Sequence, residues 1–131
     1  MIATESGSAK PKILIVEDEP LISMMLEEML LDAGCLVAGN AQNLREALPL
    51  AEAADFDLAI LDLSLGSESS LPVAEVLARR ERPFMFASGY GSTSLPVEHR
   101  DRIVLDKPFH FTALVKKLEL ALPGWVPPAD L

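Results

Sequence analysis

Short apolar runs alternate along the chain with longer segments in which apolar residues recur at helical spacing. Each short run is almost continuously apolar, which is typical of a strand that is covered on both faces of a sheet. The second run is the weakest, because few apolar residues support it. The five predicted strands fall at residues 12–16, 36–38, 58–66, 83–87 and 103–105.

The segments between these runs predict helices, with breaker residues at the expected ends. Pro20 suits the first helical position, and Gly34 suits the position just after a helix. Pro49 lies within the second helical pattern, where it must kink the helix or delay its start. Residues 89–101, rich in Gly, Ser and Pro, predict no more than a short helix. The other helices are predicted at 20–33, at 44–51, from 72 onward and at 111–122.

Strands that alternate with helices at these lengths predict an α/β fold, a doubly wound five-stranded parallel sheet with helices on both faces. Ligands bind such sheets beyond the carboxyl ends of the strands, where the strand order reverses. We expect one domain over residues 12–122, a disordered leader at 1–11 and a Pro-rich tail at 123–131. Trp125 in the tail is predicted either to fold back on the domain or to contact a partner.

The composition narrows the class of protein further. The chain has 131 residues, 50% of them hydrophobic, and 20 acidic residues against 11 basic ones give a net charge of -9. Such an acidic surface disfavours binding to nucleic acid or anionic lipid. The chain has neither an apolar run long enough to cross a bilayer nor the apolar region of a signal peptide. Its single cysteine, Cys35, is expected to be a small buried residue and fits a cytoplasmic protein.

Four of the five predicted strands end in polar residues that a buried core does not require. Each residue alone has an ordinary explanation as a helix cap, a turn residue or a solvated side chain. Because the carboxyl ends of parallel strands meet at one edge of the sheet, their joint occurrence indicates a site there. In chain order the residues are Glu17 with Asp18, Asp62, Ser88, and Asp106 with Lys107.

The charges of this group predict its chemistry. Two unit charges about 4 Å apart interact by roughly 4 kcal/mol at an effective dielectric constant of 20, so Glu17, Asp18 and Asp62 need a counter-ion. Hard carboxylate oxygens favour Mg2+. Lys107 supplies a fixed cation on the other side of Asp62. A phosphoryl group on Asp62 would have its oxygens bound by the metal, Lys107 and the Ser88 hydroxyl, so Asp62 is the predicted phosphorylation site.

The chain resembles the response-regulator receiver domain of two-component signalling. The resemblance covers residues 12–122 and is carried by four motifs, ILIVEDE, LAILDLSL, FASG and LDKPF, in the order of the family. It implies a flavodoxin-like (βα)5 receiver fold with strand order 2-1-3-4-5.

The resemblance also implies roles for individual residues. Asp18 would bind Mg2+ directly and Glu17 mostly through water, and the main-chain carbonyl of Ser64 would complete the metal shell. Lys107 would hold the phosphoryl oxygens, and Ser88 would be the switch hydroxyl. Pro108 matches the proline of the family after the lysine, which is often preceded by a cis peptide.

Two departures from the usual pattern concern the switch. Typical receivers place an aromatic residue three positions before the lysine, where this chain has Val104. Tyr90 instead follows Ser88 by two residues, as in the stand-alone subgroup nicknamed FAT GUY. Tyr90 is therefore a second candidate switch residue, with filling of a surface groove as its ordinary alternative. We expect the output to be a loop rearrangement across residues 89–101.

The leading hypothesis is a single-domain response regulator. Asp62 would accept a phosphoryl group from the phosphohistidine of a histidine kinase or phosphotransfer protein. Phosphorylation would then change the binding of a protein partner at the face formed by the fourth strand, the fifth strand and the last helix. We expect no nucleic-acid or membrane partner and at most Mg2+-dependent self-phosphorylation and self-dephosphorylation. The resemblance implies a role in a phosphorelay or in stress-response signalling.

Two alternatives remain open from the sequence. A magnesium phosphohydrolase with an aspartyl intermediate usually needs a second acid two residues beyond the nucleophile, and Ser64 occupies that position. A receiver fold that acts unphosphorylated, as a constitutive scaffold, would not need the intact site. His99 and His110 lie away from the strand ends and are expected at the surface.

Overall fold

The five apolar runs form the strands of one parallel sheet in this computed structural model, which describes residues 10–89 and 95–129. Helices occupy the segments between the strands, and a three-residue 3-10 helix, Val97–His99, precedes the last strand. The strands are β1 (Lys12–Val16), β2 (Leu36–Ala41), β3 (Leu58–Asp62), β4 (Phe84–Ser88) and β5 (Val104–Asp106). The α-helices are α1 (Pro20–Asp32), α2 (Leu44–Ala53), α3 (Leu71–Arg79) and α4 (Phe111–Ala121).

The strand order is β2-β1-β3-β4-β5, and all neighbouring strands are parallel. This confirms the predicted doubly wound, flavodoxin-like fold and its 2-1-3-4-5 order. The chain leaves β1 toward β2 on one side and returns to β3 on the other, so the order reverses between β1 and β3. The fold therefore brings the carboxyl ends of these two strands to the position where such sheets bind ligands.

Alternating residues of each strand enter two different cores, which explains why the strands are apolar throughout. In β3, Ala59 and Leu61 face the core that contains residues of α2 and α3. Leu58 and Ile60 face the core that contains residues of α1 and α4. Only the last residue of the strand, Asp62, is charged, because it lies where the sheet ends and the cleft begins.

The helix ends follow the predicted breaker residues. Pro20 is the first residue of α1, and Gly34 follows that helix with a positive φ of 88°. The Asn43 side chain caps α2 by accepting a hydrogen bond from the Glu46 N–H at 2.9 Å. Of the two predicted effects of Pro49, a delayed start is excluded, since α2 begins at Leu44 as predicted and continues through Pro49.

The length of β2 and the burial of residues in α1 also differ from what the apolar pattern predicts. β2 extends to Ala41, three residues beyond the predicted strand. In α1, Met25 is 42% exposed, whereas Ser23 is buried. The Asn40 side-chain amide donates a hydrogen bond to the Ser23 hydroxyl at 2.5 Å, and this bond satisfies the buried polar group.

His99 is buried, so its expected surface position is wrong. Its ring lies 6.2 Å from the Phe84 ring and 5.6 Å from the Phe86 ring, between centroids, because the segment before β5 folds over the sheet. Within residues 10–89 and 95–129, its Nδ1 atom has no hydrogen-bond partner. His110 is exposed, as expected, at the start of α4.

The tail contacts the domain on the side away from the strand carboxyl ends. Trp125 packs against the core shared by α1 and α4, which is the first of its two predicted alternatives. Pro128 approaches Gly34 so closely that a Cβ built on the glycine would lie 3.0 Å from the proline ring. Cys35, next to this contact, is buried as predicted, and burial raises the pKa of its thiol to about 11.

None of the helices in the described ranges combines the length and the apolar character needed to cross a bilayer.

Candidate phosphoacceptor site

Polar residues at or just after the ends of β1, β3, β4 and β5 meet in a cleft of about 490 Å³ at the carboxyl edge of the sheet. The parallel register aligns the strand ends, with Asp62 opposite Ala87 and Ser88 opposite Asp106. The Lys107 N–H donates to the Ser88 carbonyl at 3.0 Å and holds the end of β5 beside the end of β4. The cleft is lined by Asp18, Glu19, Asp62, Leu63, Ser64, Gly66, Ser88, Gly89 and Lys107.

Three carboxylates form the acidic side of the cleft. Glu17, Asp18 and Asp62 each offer an oxygen, and these oxygens lie within 4.8 Å of one another. Glu17 and Asp62 are buried, and Asp18 is half-buried. A set of hard oxygen donors at this separation fits a small divalent cation such as Mg2+.

Lys107 forms the basic side of the cleft and binds two of the carboxylates. Its Nζ donates to Asp62 Oδ2 at 2.9 Å and lies 3.1 Å from Glu17 Oε1. Burial alone would lower the pKa of Lys107, but its hydrogen bonds to Asp62 and Glu17 outweigh burial and raise it. The ammonium therefore remains charged beside the Asp62 carboxylate.

Burial raises the pKa of Glu17 to about 7. The Glu19 N–H, which donates to Glu17 Oε2 at 3.1 Å, opposes this rise, as does Lys107, while the neighbouring charge of Asp62 adds to it. Glu17 thus exchanges its proton near neutral pH when no cation is bound.

The loop after Asp62 forms a short hairpin that the sequence analysis missed. Its strands are Ser64–Leu65 and Glu68–Ser69, and the connecting Gly66 has a positive φ of 66°. The dipeptide Gly66-Ser67 is a recognised signal for a two-residue hairpin turn, but Gly66 was taken as the last residue of the predicted strand. A Cβ built on Gly66 would lie 3.7 Å from Asp18 Oδ2, so the turn also lines the cleft.

In this hairpin register, the Ser64 carbonyl accepts no hydrogen bond from the opposite strand of the hairpin. The Ser70 N–H donates to the Leu63 carbonyl at 3.2 Å. Hydrogen-bonded and non-hydrogen-bonded pairs alternate in antiparallel strands, so the next pair, Ser64 with Ser69, makes no hairpin hydrogen bond.

The structure brings together most of the residues that the sequence singled out. Glu17, Asp18, Asp62, Ser88 and Lys107 meet at one edge, and Ser64 lines the same cleft. The Lys107–Pro108 peptide is cis. Tyr90, the second candidate switch residue, lies outside the described residues. Glu19, Leu63, Gly66 and Gly89 also line the cleft, although the sequence analysis assigned no role to them.

Comparison with known proteins identifies the family of this fold and cleft. Residues 13–119 match the model of the response regulator receiver domain. The transcriptional regulatory protein PdtaR of Mycobacterium tuberculosis is 34% identical over 124 residues, which are 91% of this chain and 60% of that protein. The chain thus spans less than two thirds of the length of this curated relative.

Two solved structures are similar in fold and sequence. SdrG from Sphingomonas melonis Fr1 is 46% identical with a TM-score of 0.74, over 83% of this chain and 93% of that chain. The PhyR response regulator REC domain from Erythrobacter litoralis is 27% identical with a TM-score of 0.77, over 94% and 98% of the two chains. Together with the family match, these similarities show that the chain belongs to the response regulator receiver domains of two-component signalling.

Proposed function

We propose that this receiver domain accepts a phosphoryl group on Asp62 in a Mg2+-dependent reaction. The donor is the phosphohistidine of a histidine kinase or of a phosphotransfer protein. One observation carries the proposal: a buried aspartate at a strand end is bound by a lysine at 2.9 Å and lies within 4.8 Å of two further carboxylates. A structural ion pair alone would not need the two additional acids.

The proposed roles follow from the positions of the side chains. A carboxylate oxygen of Asp62 attacks phosphorus, a P–O bond forms, and the P–N bond to the donor histidine breaks. Lys107 binds an oxygen of the transferred group and compensates its charge. Ser88, at the end of β4, contributes the hydroxyl that responds to the new group. The catalytic activity proposed for the chain is at most its own phosphorylation and dephosphorylation.

The acidic residues are the proposed Mg2+ ligands. Asp18 and Asp62 would bind the ion directly, Glu17 mostly through water, and the Ser64 carbonyl would complete the set. The hairpin register supports the role of Ser64, because that carbonyl has no partner within the hairpin. A bound magnesium ion would neutralise charge that develops on the phosphoryl oxygens.

We propose a protein as the receiver of the signal, bound at the face formed by β4, β5 and α4. The phosphoryl group adds about -1.5 to -2 charges at pH 7, which favours an inward movement of Ser88 and of the loop that follows. Val97, in the 3-10 helix that precedes β5, is 78% exposed. The family resemblance favours a phosphorelay or a stress-response pathway in the cytoplasm, with 12–122 as the receiver unit between leader and tail.

Phosphorylation by a small donor tests the acceptor assignment. Incubation with acetyl phosphate and Mg2+ should add the mass of one phosphoryl group, and chelation of Mg2+ should prevent the gain. Asp62→Asn should gain no mass, because its neutral amide lacks the charged carboxylate oxygen that attacks phosphorus. Asp57→Asn, which changes an exposed acid before β3, is the matched control and should gain as much as wild type. An equal gain in Asp62→Asn would refute the assignment.

A further inference from the structure

Ser70 is a buried polar residue next to the cleft whose position the proposed chemistry does not explain. Its residue is 0% exposed, and it does not line the cleft. It precedes α3 as the N-cap residue, yet its side chain makes no capping hydrogen bond. Because burial of a hydroxyl is costly without a partner, its actual partner shows what the residue does.

That partner is the carbonyl of Leu63, the residue after the acceptor. The Ser70 hydroxyl donates to the Leu63 carbonyl at 3.3 Å, and the Ser70 N–H donates to the same oxygen at 3.2 Å. The Leu63 N–H donates to the Ala87 carbonyl at 3.1 Å. Leu63 is therefore held at its N–H by β4 and at its carbonyl by Ser70.

The carbonyl of Leu63 belongs to the same rigid peptide unit as the N–H of Ser64. In a trans peptide these two groups point in opposite directions, so fixing the carbonyl aims the N–H. The Ser64 N–H donates to Asp62 Oδ1 at 3.3 Å, while Lys107 binds Asp62 Oδ2. Both oxygens of the acceptor thus have a donor, and Ser70 holds the peptide that supplies one of them.

We propose that the Ser70 hydroxyl is a positioning group for the acceptor, acting through the Leu63–Ser64 peptide to keep the Ser64 N–H directed at Asp62. This inference rests on the proposed function, because it assigns a role in the reaction of Asp62. Ser70 contacts neither the phosphoryl donor nor the reacting oxygen, so it is a positioning residue and not a catalytic one.

The experiment compares Ser70→Ala with Ser69→Ala. Ser69 is the adjacent, exposed serine, and its hydroxyl accepts the Leu71 N–H at 3.1 Å instead of holding Leu63. At saturating Mg2+, Ser70→Ala should slow phosphorylation by acetyl phosphate about three- to tenfold, the factor expected for one lost hydrogen bond. The apparent affinity for acetyl phosphate should not change. Ser69→Ala should react within twofold of wild type.

A second measurement does not depend on phosphorylation. Hydrogen exchange of the Ser64 amide, followed by NMR well below the unfolding temperature, should quicken in Ser70→Ala and not in Ser69→Ala. A purely structural role would lower the unfolding temperature while leaving the reaction rate and the Ser64 amide unchanged, and that result would overturn the inference. If wild type gains no phosphoryl group, the proposed function fails by itself. The Ser64 exchange rates then decide alone whether Ser70 positions the peptide.

Discussion

At the scale of the single residue, Glu17 is subject to two opposing effects. It is buried at the end of β1, where desolvation favours its protonated form, yet it is one of three acids at the proposed metal site. At that proposed site a cation and a proton would compete for the same carboxylate. This competition would make cation binding sensitive to pH near neutrality, where ordinary carboxylates have finished titrating.

The pH dependence of Mg2+ binding tests this account. Because the pKa of Glu17 is raised to about 7, Mg2+ must displace a proton below that pH. We expect the affinity to rise by up to about tenfold per pH unit from pH 5.5 to 7 and to level off above it. Magnesium titrations followed by NMR at several pH values would measure it. In Glu17→Gln the slope should disappear, and a slope equal to that of wild type would contradict the assignment.

The raised pKa of Glu17 also makes the stability of the metal-free protein depend on pH. The folded protein holds the Glu17 proton more tightly than the unfolded chain does, since its pKa rises from 4.5 to about 7 on folding. The stability contributed by this group is therefore fully present below pH 4.5 and is lost as the pH rises through 7.

At the scale of the element, α2 shows the local effect of a proline opposed by tertiary packing. Asn43 and Glu46 start α2 with a regular cap, and Ala47 and Ala51 bury one face of the helix against the sheet. Pro49 breaks the helical hydrogen-bond pattern but does not prevent the helix. Tertiary packing of the apolar face has overridden the local cost of the proline.

Replacement of Pro49 with alanine should stabilise the protein. Alanine restores the N–H that the helix lacks and removes the clash of the proline ring, and only part of this gain is offset by the freer unfolded chain. We expect an increase of about 1–2 kcal/mol in the free energy of unfolding, measured by urea denaturation.

Pro72→Ala is the matched control for that variant. Pro72 lies in the first turn of α3, where a missing N–H costs no helical hydrogen bond. Its replacement should leave stability unchanged or lower it slightly. Equal gains in both variants would show that proline content, and not position within the helix, sets the effect.

The elements also show how far sequence reasoning reaches. The existence of the strands and the meeting of Glu17, Asp62 and Lys107 were predictable, because apolar runs and parallel topology fix which ends converge. The strand order came from the family resemblance. The hairpin after Asp62 and the burial of His99 were not. The burial of His99 depends on long-range packing, which leaves no local pattern. The hairpin has only a short turn signal, Gly66-Ser67, at the end of a predicted strand.

At the scale of the whole molecule, negative charge is concentrated as well as abundant. The chain carries a net charge of -9, and three acids share one cleft with a single lysine. Binding sites of this kind lower the stability of the empty protein, because their like charges repel one another. A cation that binds only the folded state reverses that effect.

Removal of one of these acids should therefore stabilise the metal-free protein. We expect Asp18→Asn to raise the free energy of unfolding without Mg2+ by about 0.5–1 kcal/mol. Wild type should gain about 1.4 kcal/mol at a Mg2+ concentration ten times the dissociation constant, and Asp18→Asn should gain almost nothing. Chemical denaturation with and without Mg2+ measures both effects.

Asp32→Asn is the control that distinguishes repulsion within the cleft from an effect of the net charge of the protein. Asp32 is exposed at the end of α1, and its replacement removes one negative charge away from the cleft. Its metal-free stability should stay close to that of wild type, and its response to Mg2+ should be complete. If Asp32→Asn stabilised as much as Asp18→Asn, overall repulsion would be the cause.

The contact between Pro128 and Gly34 has a practical consequence for experiments on this molecule. It places the described end of the tail beside the loop that leads into β2, at the edge of the sheet opposite the cleft. A fluorophore or a sensor surface attached at Ala129 would therefore stand a full strand length from Asp62. Immobilised in that way, the domain would present the cleft to the solution without obstruction.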